Sequence, residues 1–365
     1  MTESMQEVNR IALEKLPKIE LHRHLEGSLR LESLLEIARD YNVPVPAESL
    51  ESLRPFVQVT DDPADHEVFL SKFEVLRHFY RTPETIQRLV YETVADAAND
   101  NVKYMELRFS PQALSRVCRF SLGDVTDWVI EAVEHAQQDF DIQVGLILTL
   151  VRHDPFEQAK HVAEVAFARH EKGIVGFDLA GDEVKFPSAP FAPLFRQARE
   201  MGMGVTIHAG EWASAIGVRD AIRDLGANRI GHGVRVLENS EILRVALEHN
   251  VTFEVCLTSN VQTGVVHHID HHPLADMLDL GLQATLNTDD PTISNITLTD
   301  EYQIAMNDLG IRYVELRQMI LNAARAAFLP TSKRQRLVRK FESLLPEVLA
   351  GANNNTSSVT LTPTP

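Results

Sequence analysis

The chain has 365 residues, 44% of them hydrophobic and 24% charged, the balance of a globular protein with a sizeable core. Its 52 acidic against 35 basic residues leave a formal net charge of −17, which repels phosphate backbones and anionic membranes and excludes nucleic acid as a partner. Two cysteines, Cys118 and Cys256, lie far apart and argue against a disulfide framework; with no signal-peptide pattern and no bilayer-length apolar run, a cytoplasmic protein is predicted.

In chain order, the first strand is predicted near 19–24, where alternation puts His22 and His24 on one face of Pro17-Lys18-Ile19-Glu20-Leu21-His22-Arg23-His24. The stretch after it, roughly 29–101, is too long for one crossover and carries helical patterns at 67–80 and 83–99. Such an insertion sits at the barrel mouth, either covering a ligand or adding scaffold packing. Further strands are predicted near 103–109, 144–151, 174–179, 204–208, 229–231, 252–256 and 283–287. Amphipathic helices at 156–172, 191–201 and 242–249 lie between them. About eight strand–helix units in one domain over 1–350 predict an α/β fold, a (β/α)8 TIM barrel with a helical insertion after the first strand. A doubly wound open sheet is the rival, weakened because no Gly-x-Gly-x-x-Gly follows an early strand. Residues 351–365, rich in Asn, Thr, Ser and Pro, are expected to form a disordered polar tail.

In such a barrel the reactive groups come from the C-terminal strand ends. His22 and His24 end the first strand, and His208 ends the fifth in Val205-Thr206-Ile207-His208-Ala209-Gly210-Glu211. His232 follows the sixth in Ile230-Gly231-His232-Gly233, and Asp289 and Asp290 follow the eighth in Leu286-Asn287-Thr288-Asp289-Asp290-Pro291. Three histidines and a carboxylate suit zinc with one position left for water, whose pKa the ion draws from about 15.7 toward about 7. Glu211, three residues past His208, reaches the same space as a proton carrier. No lysine occurs across 174–178 to bridge two metals, so one Zn2+ per chain is expected. The run His267-His268-Ile269-Asp270-His271-His272 looks like a metal-binding tract but is read as a polar surface loop leading into a helix near 273–280.

From about 17 to about 330 the chain resembles the adenosine deaminase family of amidohydrolase-type barrels. The matching segments are Pro-Lys-Ile-Glu-Leu-His-Arg-His-Leu-Glu-Gly (17–27), Met-Glu-Leu-Arg-Phe-Ser-Pro (105–111) and Asp-Leu-Ala-Gly-Asp-Glu (178–183). His-Ala-Gly-Glu (208–211), Gly-His-Gly (231–233) and Leu-Asn-Thr-Asp-Asp-Pro (286–291) complete an ordered series. The resemblance implies that His22, His24, His208 and Asp289 hold zinc, with His24 also facing the substrate. It implies that Glu211 protonates N1 of a purine, and that His232 orients the attacking water while Asp289 helps accept a proton. Asp290 would pair with N7, and the Gly181 backbone with N3. The implied reaction turns adenosine or 2′-deoxyadenosine into the inosine product and ammonia.

One position departs from the family pattern: Glu26 stands where adenosine enzymes commonly carry Asp, at the contact to the ribose 5′-hydroxyl. That substitution motivates an alternative, deamination of adenine or of a modified nucleoside such as aminodeoxyfutalosine, without touching the metal chemistry. A non-catalytic purine-binding barrel is the rival of another class, and such proteins lose a ligand or the acid, whereas every position here is filled. The predicted partner is therefore a small purine nucleoside, with no nucleic acid and no membrane; the sequence assigns no oligomeric state.

Overall fold

A computed structural model of the chain describes residues 10–349, so the tail expected at 351–365 lies outside the described residues. Eight strands follow one another around a single parallel sheet in the order of the chain. They are β1 (Lys18–His24), β2 (Val102–Phe109), β3 (Gln143–Val151), β4 (Ile174–Ala180), β5 (Gly204–Ala209), β6 (Arg229–His232), β7 (Thr252–Val255) and β8 (Gln283–Leu286). The last edge closes on the first through the chain just past β8: His24 N donates to Asp289 O at 2.8 Å and Asp289 N to His22 O at 3.0 Å. The Asn287 side chain fills the seam below, accepting from Leu21 N and His22 N at 2.9 and 3.1 Å. The (β/α)8 barrel is thus present, and the open-sheet alternative is not.

The strands form because their outward residues are apolar and buried beneath helices, as Val205, Ile207, Ile230 and Phe253 are. Their inward residues are another matter. Arg108, Asp178, Thr206 and Glu254 are fully buried inside the barrel, where an apolar layer is the usual filling. Phe328 plugs the floor, and two strand glycines make room for it. A Cβ at Gly204 would lie 2.1 Å from its ring, and one at Gly176 2.6 Å. Arg229 stacks on that ring at 3.5 Å from the centroid.

Between β1 and β2 the insertion folds as α1 (Leu31–Asp40), α2 (Leu50–Val57), α3 (His66–Leu76) and α4 (Pro83–Asn99). The predicted bounds of α4 hold because Thr82 caps it through Thr85 N and Pro83 opens it. The pattern at 67–80 ends earlier as α-helix, since Arg77–Phe79 tighten into a 3-10 turn. Likewise the 156–172 pattern splits into Phe156–Phe167 and a 3-10 turn at His170–Lys172, stopped by Gly173 at φ +101°. No helix among the described residues is long and apolar enough to cross a membrane.

Candidate active site

The histidines from β1 and β5 meet the Asp289 carboxylate at the C-terminal mouth of the barrel. His24 Nε2 faces His208 Nε2 at 3.2 Å, and Asp289 Oδ1 lies 3.1 Å from His22 Nε2 and 3.4 Å from His24 Nε2. One donor atom from each of His22, His24, His208 and Asp289 falls within 4.8 Å of every other. Donors around a tetrahedral zinc at about 2.1 Å stand roughly 3.4 Å apart, so the set fits a metal as it is. Apart from the 3.1 Å approach of Asp289, itself a candidate ligand, His22 Nε2 is buried without a hydrogen-bond partner, as befits a nitrogen kept for a metal. Cys256 borders the cluster, in a second set with His22, His232 and Asp289 whose donor atoms also lie within 4.8 Å of one another, and burial pushes its thiol well above its ordinary range.

Buried acids hold these rings from behind. His22 Nδ1 meets Glu254 Oε2 at 2.7 Å, and His208 Nδ1 meets Asp178 Oδ1 at 3.1 Å. Both arrangements fix the ring so that Nε2 presents its lone pair. Arg108 lies between the two acids, donating to Glu254 Oε2 at 2.8 Å and standing 3.4 Å from Asp178 Oδ2. Glu254 also receives Arg229 Nε at 2.5 Å, and Arg229 in turn pairs with Glu106 at 2.6 Å. Burial alone would raise the Glu254 carboxyl, but Arg108 and Arg229 hold it well below the usual carboxylate range. A column of alternating charge therefore runs from the Phe328 plug to the histidines.

Above the metal cluster lies a cavity of about 280 Å³. It is lined by every predicted site residue except His22, which sits fully buried beneath its floor. A larger cavity of about 1100 Å³ opens at the opposite end of the barrel, around Phe328, and holds none of them. Glu211 stands 3.7 Å from His232 Nε2. Its carboxyl is pushed well above the ordinary range by burial and by the charges of Asp289 and Glu183, a direction that favours the protonated form. Asp290 is raised in the same way by burial and by Asp289. Its Oδ1 is buried without a partner, and although it begins the helix Pro291–Ser294 its side chain caps nothing. Gly27 makes space for it, since a Cβ there would lie 1.9 Å from Asp290 Oδ1. Gly181 borders the cavity at φ +100°, a conformation reserved for glycine. Glu26 Oε1 accepts from Ser110 N at 2.8 Å while Oε2 is buried and unpartnered, and burial pushes the carboxyl up to about 7. From the insertion, α3 contributes Phe69, Leu70 and Phe73 to the wall.

One reading of the sequence needs correction. The His-rich run is not wholly a surface loop: His267, His268 and His271 are exposed, but His272 is turned inward and buried. Its Nε2 lies 3.2 Å from Asn260 Oδ1, and Asn260 Nδ2 lies 3.1 Å from His232 Nδ1. Residues that sequence reasoning passed over also shape the site. Glu183 accepts the N–H groups of Gly210, Glu211, Trp212 and Ala213 at 2.6–3.0 Å, fixing the turn that carries Glu211. Ser259 Oγ donates to Asp289 Oδ2 at 2.7 Å. Asp178, Glu254 and Arg108 could have been found as charges at inward positions of otherwise apolar strands.

A family profile described as "Adenosine deaminase" matches residues 17–343. A relative named adenosine deaminase from Klebsiella pneumoniae (strain 342) is 39% identical over 326 residues, covering 89% of this chain and 97% of its own length. Among solved structures, a zinc-bound amidohydrolase from Burkhoderia ambifaria matches with a TM-score of 0.84 at 25% identity, covering 94% of each chain. The Arabidopsis protein ADAL complexed with IMP matches with a TM-score of 0.80 at 27% identity, covering 94% of this chain and 98% of that one. By sequence and by fold, the chain belongs to the adenosine deaminase family.

Proposed function

We propose that this protein hydrolyses adenosine, and 2′-deoxyadenosine with it, to the 6-oxo purine nucleoside and ammonia at a single zinc ion per chain. The observation that carries the reading is the juxtaposition of four metal-competent donors with two buried carboxyls, Glu211 and Asp290, whose pKa values burial and Asp289 push upward, around one purine-sized cavity. His22, His24, His208 and Asp289 would hold the zinc, which would supply Lewis-acid activation of water at neutral pH. Glu211 gives its proton to N1 and draws electrons from C6, where the oxygen of water adds. His232 orients that water and stabilises its developing charge, and Asp289 takes up a proton from it. Asp290 donates to N7, the Gly181 backbone meets N3, and Glu26 Oε2 faces the sugar. Phe69, Leu70 and Phe73 keep bulk water from the reacting centre. The proton taken up by Asp289 passes to the amino group, the C6–N bond breaks to release ammonia, and the C6 hydroxyl proton returns to Glu211 as the 6-oxo group forms.

The test is ammonia release by zinc-loaded protein offered adenosine, adenine and aminodeoxyfutalosine side by side, with Glu211→Gln as control. Preference for adenosine, with kcat lowered roughly 100-fold or more and zinc retained in Glu211→Gln, is the expected result. Preference for either other compound moves the substrate to the branch that Glu26 motivates. An active Glu211→Gln protein removes Glu211 from its role.

A further inference from the structure

We infer that His272 and Asn260 are positioning residues that set the tautomer of His232, so that its Nε2 meets the reacting water as a hydrogen-bond donor and not as a base. The inference rests on the deaminase reading for its consequence, but its geometry stands independently. One end of the relay is a backbone group with only one role. Leu274 N, the first residue of the helix Leu274–Asp279, donates to His272 Nδ1 at 3.2 Å. A backbone N–H only donates, so Nδ1 carries no proton and the neutral ring must carry it on Nε2. His272 Nε2 therefore donates to the Asn260 amide 3.2 Å away, which identifies the accepting atom as Oδ1. The other amide atom, Nδ2, then faces His232 Nδ1 at 3.1 Å as a donor. His232 Nδ1 accepts, and its proton is left on Nε2.

Each link is buried. His272 is 5% exposed, Asn260 0% and His232 1%, so water does not substitute for any partner. Burial also lowers the His272 pKa to about 3, in keeping with the neutral ring that the Leu274 contact demands. At the far end His232 Nε2 points into the space between Glu211 Oε2 at 3.7 Å and Asp289 Oδ2 at 3.9 Å. Its backbone is held at φ +58°, a left-handed conformation uncommon outside glycine and asparagine, so the ring direction is set by the chain as well as by the relay. A protonated Nε2 there stabilises negative charge building on oxygen and leaves proton acceptance to Asp289. The relay also explains why one histidine of a surface tract is turned inward: the tract anchors the amide that faces the catalytic ring.

The decisive variant is Asn260→Asp, which keeps shape and volume. Its carboxylate accepts from His272 Nε2 on one oxygen and presents the other to His232 Nδ1, forcing the proton to that nitrogen. His272→Leu removes the first donor, and His272→Gln restores a donor at nearly the same place. With zinc-loaded full-length protein, kcat for adenosine is expected to fall roughly tenfold or more in Asn260→Asp and His272→Leu, with KM within about twofold. His272→Gln is expected to recover most of the loss. The independent readout is the pattern of 1H–15N correlations from the His232 ring, assigned by its loss in a His232 substitution. It should show protonated Nε2 in the wild type and protonated Nδ1 in Asn260→Asp. An unchanged ring pattern in Asn260→Asp overturns the relay, as does wild-type kcat in that variant. A His272→Gln protein as slow as His272→Leu overturns the role of His272 as donor. If the deaminase reading itself fails, the wild type turns over none of the purines while the ring pattern still reports the tautomer.

Discussion

Glu254→Gln tests whether the charged column inside the barrel holds the metal site. Four donors converge on this carboxylate: His22 Nδ1 and Arg108 Nη2 on Oε2 at 2.7 and 2.8 Å, Thr206 Oγ1 and Arg229 Nε on Oε1 at 3.0 and 2.5 Å. An amide offers one acceptor oxygen, so whichever way it turns, one guanidinium faces an NH2 group in a fully buried place. A buried donor left unsatisfied costs about 1–3 kcal/mol, and more when charged. Arg108 keeps Asp178 and Arg229 keeps Glu106, which limits the loss to about 3 kcal/mol of stability. Removing the charge behind His22 also makes its imidazole a poorer ligand, weakening zinc about tenfold. The assay pairs denaturant unfolding with zinc competition against a chromophoric chelator. Glu106→Gln serves as the comparison, because Glu106 pairs with Arg229, Tyr104 and Phe328 N but touches no histidine. It is expected to lose similar stability while keeping zinc affinity within about twofold. Equal zinc affinity in the two variants would refute the reasoning that the column acts on the ligands.

Gly27→Ala should displace the Asp290 carboxyl that a Cβ would meet at 1.9 Å, and a shift of that size costs roughly 100-fold in kcat/KM. Zinc content and circular dichroism should stay as in the wild type; full activity would show that Asp290 has slack. Glu301 is fully buried beside the N–H groups of Leu257 and Thr258, and burial lifts its pKa from 4.5 to about 7. The folded state thus binds the extra proton. Its contribution is present below pH 4.5 and is lost as pH rises through 7, amounting to about 3 kcal/mol. Between pH 4.5 and 8 the wild type should lose that much more unfolding free energy than Glu301→Gln; parallel curves would count against the assignment.

The barrel was legible because its outward strand residues and amphipathic helices obey simple periods. Each strand of Val, Ile, Leu and Phe reads as a buried run, and Thr82-Pro83 marks a helix start without any tertiary help. Strand ends were less legible, because β7 and β8 stop where Cys256 leads into a helix and Asn287 turns its side chain to the β1 seam. The candidate ligands were legible from their place at strand ends. Their partners were not, since Asp178 and Glu254 lie far in sequence from the rings they hold and no local period marks them.

Chain order and residue type alone determined which histidines and acids stand at the mouth of a barrel, because strand periodicity fixes which side chains share a face and which end they reach. Only the tertiary structure decided what each of those groups is made to do. Burial and the Asp289 charge push the Glu211 and Asp290 carboxyls upward, Gly27 yields space to Asp290, and Glu254 holds the His22 ring. It also turned His272 out of a surface tract and toward Asn260. Protonation and tautomer depend on neighbours brought together from distant parts of the chain and on the water that packing removes, and neither is written in local sequence.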